Sequence, residues 1–388
     1  MTDESTVLFL AHTGQVSGAE KVLLDLIDEA ERRGHETVIA CPAGPLAQRL
    51  PSATRHIPIG ELGLGGERGA ARGVAAMRML ARWFTASRAV RTIARQPDTV
   101  TVVNSLFALP VARLARPARG ASWLVHDTMN SLKQRVVVRF SRPAVRVAVS
   151  VSEATAVPLR AAGLPVVVSH NGVPWPVARF GGDLHTPPVV GMLALLTPWK
   201  GHRVLLDAVA TLPDIRVELA GGSFPGDREY VSELHERASR PDLAGRVEFL
   251  GHTDAPSALR RWDVVVSAST SPEAGPLSVL EAMSYGLPVI GTDHGGTHEF
   301  LVDGAGILVG PGDAAALADA ISSVIGDSDR RRALGSAARY RVASRHDISE
   351  TLPELLAPAD QLTTGAERAG YAPVREVGNM IDVTDACD

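Results

Sequence analysis

Residues 264–291 read VVVSASTSPEAGPLSVLEAMSYGLPVIG. The stretch opens on Val264–Ala268, a run that is apolar but for Ser267, and closes on the apolar run Pro288–Gly291. Short continuous runs rich in β-branched residues are the pattern of strands buried on both faces, as in a parallel sheet. Between them a helix starts near Pro276, which fits a first helical position because no N–H is needed there. Strand, helix and strand in succession make a parallel crossover unit.

The same alternation extends in both directions. Toward the N-terminus, Val7–Ala11, Thr37–Cys41, Thr99–Val103, Ser122–Val125 and Val145–Val149 read as buried strands. Gly18–Arg33 lies between the first two and carries Val22, Leu23, Leu26, Ile27 and Ala30 on one helical face, stopped by Gly34. The rhythm breaks over Asn171–Pro188, a stretch of prolines and glycines without period. It resumes with Val189–Ala194, Arg216–Ala220, Val247–Leu250, Val264–Ala268, Pro288–Gly291 and Gly306–Val309 as strands, followed by helices at Asp313–Ile325 and Asp329–Ser344. The expectation is an α/β protein of two doubly wound parallel-sheet domains. The domains are placed at 1–175 and 189–345, joined by a linker at 176–188. A helix at 346–358 is expected to pack back on the first domain, followed by a mobile tail at 359–388.

The length, 388 residues, suits two domains, and 45% hydrophobic residues suffice for two cores. Cys41 and Cys387 sit near opposite ends, which disfavours a disulfide and fits a reducing compartment. The start, MTDESTVLFLAH, has neither a basic segment nor a small-residue cleavage site, and no apolar stretch is long enough to span a bilayer. A cytoplasmic location is therefore expected, with peripheral contact at the inner face of the membrane as an extension of it. Net charge is −4, unevenly spread: residues 68–152 hold 15 basic residues against two acidic ones, Asp98 and Asp127. Among 39 basic residues only Lys21, Lys133 and Lys200 are lysine.

Ligands of doubly wound sheets bind beyond the carboxyl ends of the strands, so the loops there carry the chemistry. After the first strand, HTGQVSGAEK brings Gly14 and Gly18 to a helix start, where backbone amides can meet phosphate or a hydroxyl. It is not the dinucleotide-binding glycine pattern, and no acidic ribose ligand follows at the usual spacing. Its ordinary alternative is a tight strand-to-helix turn. His126, in WLVHDT, falls where a strand ends and can donate to a sugar hydroxyl; equally it can be a hydrogen-bonded loop histidine. Asp127 beside it could cap the next helix. Lys200 ends a loop before a helix start, a place suited to neutralising a diphosphate. Gly222, in LAGGS, follows another strand. Glu273 lies in the loop before the helix near Pro276 and Glu281 about two turns into it. A carboxylate can accept two hydrogen bonds from a vicinal diol, so the pair suits a hexose at one end and a ribose at the other. Surface charges are the alternative, weakened for Glu281 by its neighbours Leu280, Ala282 and Met283.

SPEAGPLSVLEAMSYGLPVIGTDHGG resembles the C-terminal signature of the retaining glycosyltransferases of family 4, which have the GT-B fold. WKG, LAGG, RVEFLGHTD, HNGV and SGAEKVLLDLIDEAERRGHE agree in order and spacing, from about residue 6 to 345. The resemblance implies transfer of a hexose-type sugar from a nucleotide diphosphate sugar to an acceptor hydroxyl on a polysaccharide, glycolipid or small molecule. Lys200 would hold the diphosphate and Glu281 the ribose. Glu273, with backbone N–H groups near Gly275 and Leu277, would hold the sugar. His126 would lie beside it, and the Gly14–Gly18 loop would close over it. Leu195 departs from the pattern, since the family usually carries arginine there as a second cation on the diphosphate. Either another cation replaces it, with Arg203 nearest, or donor handling differs.

No metal or other cofactor is expected. The one Asp-x-Asp, Asp327 to Asp329, reads as a helix cap, and there is no zinc-type cluster. Nucleic acid is not an expected partner. Two rival readings stand: an epimerase of the same fold, and an inactive partner that binds nucleotide sugar without turnover. Residues Arg68–Arg95 hold seven arginines, with Leu80, Trp83, Phe84 and Ser87 along one helical side. They suggest a basic amphipathic helix for an anionic surface or acceptor, or a solvated face packed on the sheet.

Overall fold

The computed structural model describes residues 5–63, 70–176 and 183–364. It contains two parallel sheets. The first holds β1 (Thr6–Leu10), β2 (Glu36–Pro42), β3 (Arg55–Ile59), β4 (Thr99–Val103), β5 (Ala121–Val125), β6 (Val145–Ser150) and β7 (Val166–Val168). Their order across the sheet is β3-β2-β1-β4-β5-β6-β7. The second holds β8 (Val189–Leu193), β9 (Arg216–Ala220), β10 (Val247–Gly251), β11 (Val264–Ser267), β12 (Val289–Thr292) and β13 (Ile307–Val309), in the order β10-β9-β8-β11-β12-β13. Chain order reverses between β1 and β4 and again between β8 and β11. Each reversal opens a crevice at the carboxyl edge of its sheet, and crevices of this kind hold ligands.

The expected architecture, two doubly wound sheets with helices on their faces, is what the chain adopts. The two strands that were not foreseen, β3 and β7, are the edges of the first sheet. Arg55–Ile59 is polar, half-exposed and contains Pro58, which an edge strand tolerates because one row of N–H groups needs no partner. Val166–Val168 is too short to show a period.

The chain crosses between the sheets twice, side by side. Val173 donates its N–H to the His346 carbonyl at 2.9 Å, and Ile348 donates to the Val173 carbonyl at 3.1 Å. The returning helix, Ile348–Thr364, continues past Ala359, where a tail was expected. Leu355, Leu356 and Ala359 are buried in the first sheet's core with Phe9, Leu26 and Leu124, and Arg33 pairs with Asp360. The helix was expected at 346–358, and what the sequence did not show is its last turns beyond Pro358; packing on the sheet compensates the backbone bonds that Pro353 and Pro358 remove. Residues 365–388, including Cys387, lie outside the described residues. Cys41 is buried and free.

The helix Ala70–Ala94 differs from the stripe expected for it. Trp83, Ala86, Ser87 and Val90 form its buried side, whereas Leu80 and Phe84 are exposed. The expected stripe is thus divided between the core and the solvent. Residues 64–69, with Arg68, fall outside the described residues.

Candidate functional site

The carboxyl ends of the two sheets face each other, and the loops after the reversal strands meet there. Gly18, at the start of the helix Gly18–Arg32, lies opposite Leu277, at the start of the helix Leu277–Ser284. A Cβ on Gly18 would sit 3.7 Å from Leu277 Cδ1, an ordinary van der Waals distance, so the two helix starts lie in contact range of each other. Helix N-termini carry amides without intrahelical acceptors and a partial positive charge. The Gly18 start already carries the buried Glu20 carboxylate, which accepts the Ser17 N–H at 3.1 Å, so the amides open to an anion at this point are those of the Leu277 start.

One turn further along each helix, Lys21 Nζ lies 3.4 Å from Glu281 Oε1. Glu281 is mostly covered and Lys21 half-exposed. On the second domain's side, Lys200 and Glu273 form an ion pair, and Ser269 donates its hydroxyl to the other oxygen of the same carboxylate. Glu273 is 8% exposed, and these two donors give each oxygen of the buried carboxylate a partner. Lys200 follows β8 and Glu273 follows β11, the two strands that flank the second reversal.

Glycines fix the loops that carry these groups. Gly201 has φ +79°, and a Cβ there would fall 1.8 Å from the Ala268 carbonyl oxygen, which seats the Lys200 loop on the end of β11. Gly295 and Gly296 back the Glu273 loop: Cβ atoms would lie 2.4 Å from the Glu273 carbonyl oxygen and 2.2 Å from that of Ala274. His294 adds a ring nitrogen 2.9 Å from the Ser269 carbonyl. Gly275 accepts from Asn171 Nδ2 at 2.9 Å, which ties the loop to the crossover segment. Ser269, Asn171 and the Gly295–Gly296 backing were not foreseen as parts of the site; the quoted HNGV and GTDHGG motifs hinted at the last two.

His126 follows β5, two residues before Thr128, whose hydroxyl reaches the Pro272 carbonyl across the cleft at 3.4 Å. Burial pushes the imidazole down to about 4, so the ring is neutral near pH 7 and has one N–H to donate. Its Nε2 is buried without a partner among the described residues. Asp127 does not cap the following helix. Ser131 does, accepting the Gln134 N–H at 3.3 Å. Burial raises the Asp127 carboxyl above its ordinary value, against the opposing charge of His12 and the Leu106 backbone.

Two further residues expected at the donor site, Gly14 and Gly222, differ in what holds them. The Gly14 N–H is taken by Glu61 Oε1 at 3.1 Å, and a Cβ on Gly14 would meet the Ala43 carbonyl oxygen at 2.6 Å. Its glycine requirement comes from loop packing. A Cβ on Gly222 would meet nothing; the constrained residue is Gly221, at φ +156° and against the Ala194 carbonyl. Arg203 is turned to Asp207 on its own helix, at 3.1 Å. Leu195 is half-buried. Among the described residues no three His, Cys, Asp or Glu side chains gather as a metal site. Asp327 accepts the N–H groups of Asp329 and Arg330 at 2.9 Å, as a helix cap does.

Residues 16–174 match the family described as Glycosyltransferase Family 4, and residues 178–341 match Glycosyl transferases group 1. The chain is 32% identical over 200 residues to the lipopolysaccharide core biosynthesis glycosyltransferase LpsE of Rhizobium meliloti, covering 50% of this chain and 57% of that protein. It is 28% identical over 361 residues to the phosphatidyl-myo-inositol mannosyltransferase of Mycolicibacterium smegmatis, covering 87% and 89%. Its structure matches that of HepE from Anabaena in complex with UDP and glucose, with a TM-score of 0.77 at 25% identity over 92% of this chain and 99% of HepE. With one match on each side of the crossover segment and the same paired-sheet architecture, this chain belongs to the family 4 glycosyltransferases of the GT-B fold.

Proposed function

We propose that the chain transfers a hexose-type sugar from a nucleoside diphosphate sugar to an acceptor hydroxyl, with retention of anomeric configuration and without a metal. The observation that carries this reading is the meeting of two helix starts, Gly18 and Leu277, between a lysine–carboxylate pair on either side. Lys200 and the amides of the Leu277 helix start suit a diphosphate, Glu281 a ribose diol and Glu273 a hexose diol. Binding of UDP and glucose by HepE supports a nucleotide sugar as donor.

Leaving-group departure and acceptor attack would occur on one face of the sugar. The departing phosphate oxygen can take the acceptor proton, so no protein nucleophile is required. The residues act by positioning and by stabilising the charge that develops on the leaving group. Neutral His126 would donate a hydrogen bond to a sugar hydroxyl. A polysaccharide, glycolipid or small molecule would supply the acceptor hydroxyl.

A panel of UDP-, GDP- and ADP-hexoses, with nucleoside diphosphate release as the readout, tests this reading. Release that rises with acceptor supports transfer. Conversion of the donor to its epimer without acceptor would instead establish the rival isomerase. Binding without release would establish the non-catalytic reading that Leu195 leaves open.

A further inference from the structure

The described residues carry twelve large apolar side chains that are exposed, and seven of them lie on two helices of the first domain. Val74, Met77, Leu80 and Phe84 are on Ala70–Ala94; Leu132, Val136 and Phe140 are on Leu132–Ser141. The exposures are large, 64% at Met77, 51% at Phe84 and 76% at Leu132. These side chains are not needed to seat the helices. Trp83, Ala86, Ser87 and Val90 already pack the first helix on the sheet, and Val138 and Ser141 are the buried residues of the second. Met77, Leu80 and Phe84 follow the i, i+3, i+7 spacing of one helical face, and Leu132, Val136 and Phe140 the i, i+4, i+8 spacing of another.

The two helices flank the short helix Leu109–Ala115, which packs against both. Arg113 of that helix stacks over the Phe140 ring at 5.8 Å, and Arg88 stacks over Phe84 at 5.7 Å. Exposed Arg78, Arg82, Lys133, Arg135 and Arg139 alternate with the apolar residues along the same two helices, and neither helix contains an aspartate or glutamate. Apolar side chains between guanidinium groups are the composition of a surface that lies in a headgroup layer. Isolated exposed hydrophobics would need no explanation; seven on two helices that flank the same short helix do.

We propose that these two helices form a docking face for an anionic lipid bilayer. The charge selects the occupant. Residues 68–152 carry 15 basic and two acidic residues, so a second copy meeting this face through the same surface would bring positive charge onto positive charge. An anionic bilayer offers negative headgroups to the arginines and acyl chains to the leucines and phenylalanines in a single layer. Leu132 begins its helix four residues after Thr128, which touches Pro272 across the cleft. The docked face therefore ends at the rim of the cleft. The face consists of surface residues outside the cleft and takes no part in the transfer reaction.

Sedimentation of the full chain with mixed phosphatidylcholine–phosphatidylglycerol vesicles tests the proposal. The chain should pellet with them at low salt, release as salt rises, and stay in solution with phosphatidylcholine alone. The double variants Leu80→Glu/Phe84→Glu and Leu132→Glu/Val136→Glu should each lower partitioning about tenfold or more, with melting temperature and UDP binding unchanged. Tyr340→Glu, which removes an equally exposed side chain from the second domain, should leave partitioning as it was. Equal binding to neutral vesicles, no loss in the double variants, or a concentration-dependent dimer that these variants dissolve would each overturn it.

Discussion

Lys21 of the first domain and Glu281 of the second meet at 3.4 Å, one helical turn beyond the point where their helices face each other. The ammonium uses one oxygen of the carboxylate and leaves lone pairs for a ribose diol. It also brings a positive charge to the cleft, where Leu195 supplies none. Lys21→Met should weaken nucleoside diphosphate binding by about 1 kcal/mol, with a smaller effect on the nucleoside. Calorimetry with UDP and uridine compares the two. Tighter UDP binding in the variant would mean that Lys21 competes with the ligand.

The Lys200–Glu273 pair ties stability to binding. Lys200→Ala leaves a buried carboxylate with Ser269 as its remaining side-chain donor, so the melting temperature should fall and UDP binding should weaken by about 1.5–3 kcal/mol. In Lys200→Met/Glu273→Gln no buried charge is left unpaired. This double variant should recover stability without recovering binding. Recovery of both would show that Lys200 acts only within the fold.

The crossover region should be acid-sensitive. Burial first, then the charges of His170, Arg341 and Arg345, push His346 down to about 3, against a hydrogen bond with Asn171 at 3.1 Å. The folded imidazole stays neutral while the unfolded one protonates near its ordinary value of 6.5. Unfolding therefore takes up a proton between about pH 6.5 and 3, and stability declines as pH falls through that window. Nearby, burial pushes the Glu299 carboxyl up, but His170 and the amides of Ala154 and Glu153 hold it below its ordinary value. Its depressed pKa adds stability above the usual carboxylate range that is lost on acidification. Denaturant midpoints at pH 7.5 and 5 should differ less in His346→Gln than in the parent chain. Parallel dependence would contradict this origin of the acid loss.

Transfer should persist in excess EDTA, because the diphosphate's charge is assigned to lysines and helix amides. Activity abolished by chelator and restored by Mg²⁺ or Mn²⁺ would refute that assignment.

The central strands were legible because each is an apolar run buried on both faces, as Val264–Ser267 and Thr99–Val103 are. Arg55–Ile59, half-exposed and interrupted by Pro58, and Val166–Val168, only three residues long, lack that signal and were hidden, whereas the second sheet's edges, Val247–Gly251 and Ile307–Val309, were read as short strands. Lys200 and Glu273 could be picked out singly from loop position, but their pairing could not, since it depends on how β8 and β11 lie side by side. The Lys21–Glu281 contact joins residues of different domains, and sequence offered only the rarity of lysine as a pointer. Glycine after a strand reads as a ligand loop, and sequence alone did not show that Gly14 is also held by loop packing or that the backbone constraint near Gly222 falls on Gly221.

The assignment of the cleft between Gly18 and Leu277 as a nucleotide-sugar site is tested most directly by titrating UDP-glucose into the parent chain, Lys200→Ala and Glu281→Gln. The account predicts saturable binding to the parent, loss of most of the affinity in each variant, and variants that remain folded by circular dichroism. Undiminished affinity in both variants would place the nucleotide sugar elsewhere and contradict the account.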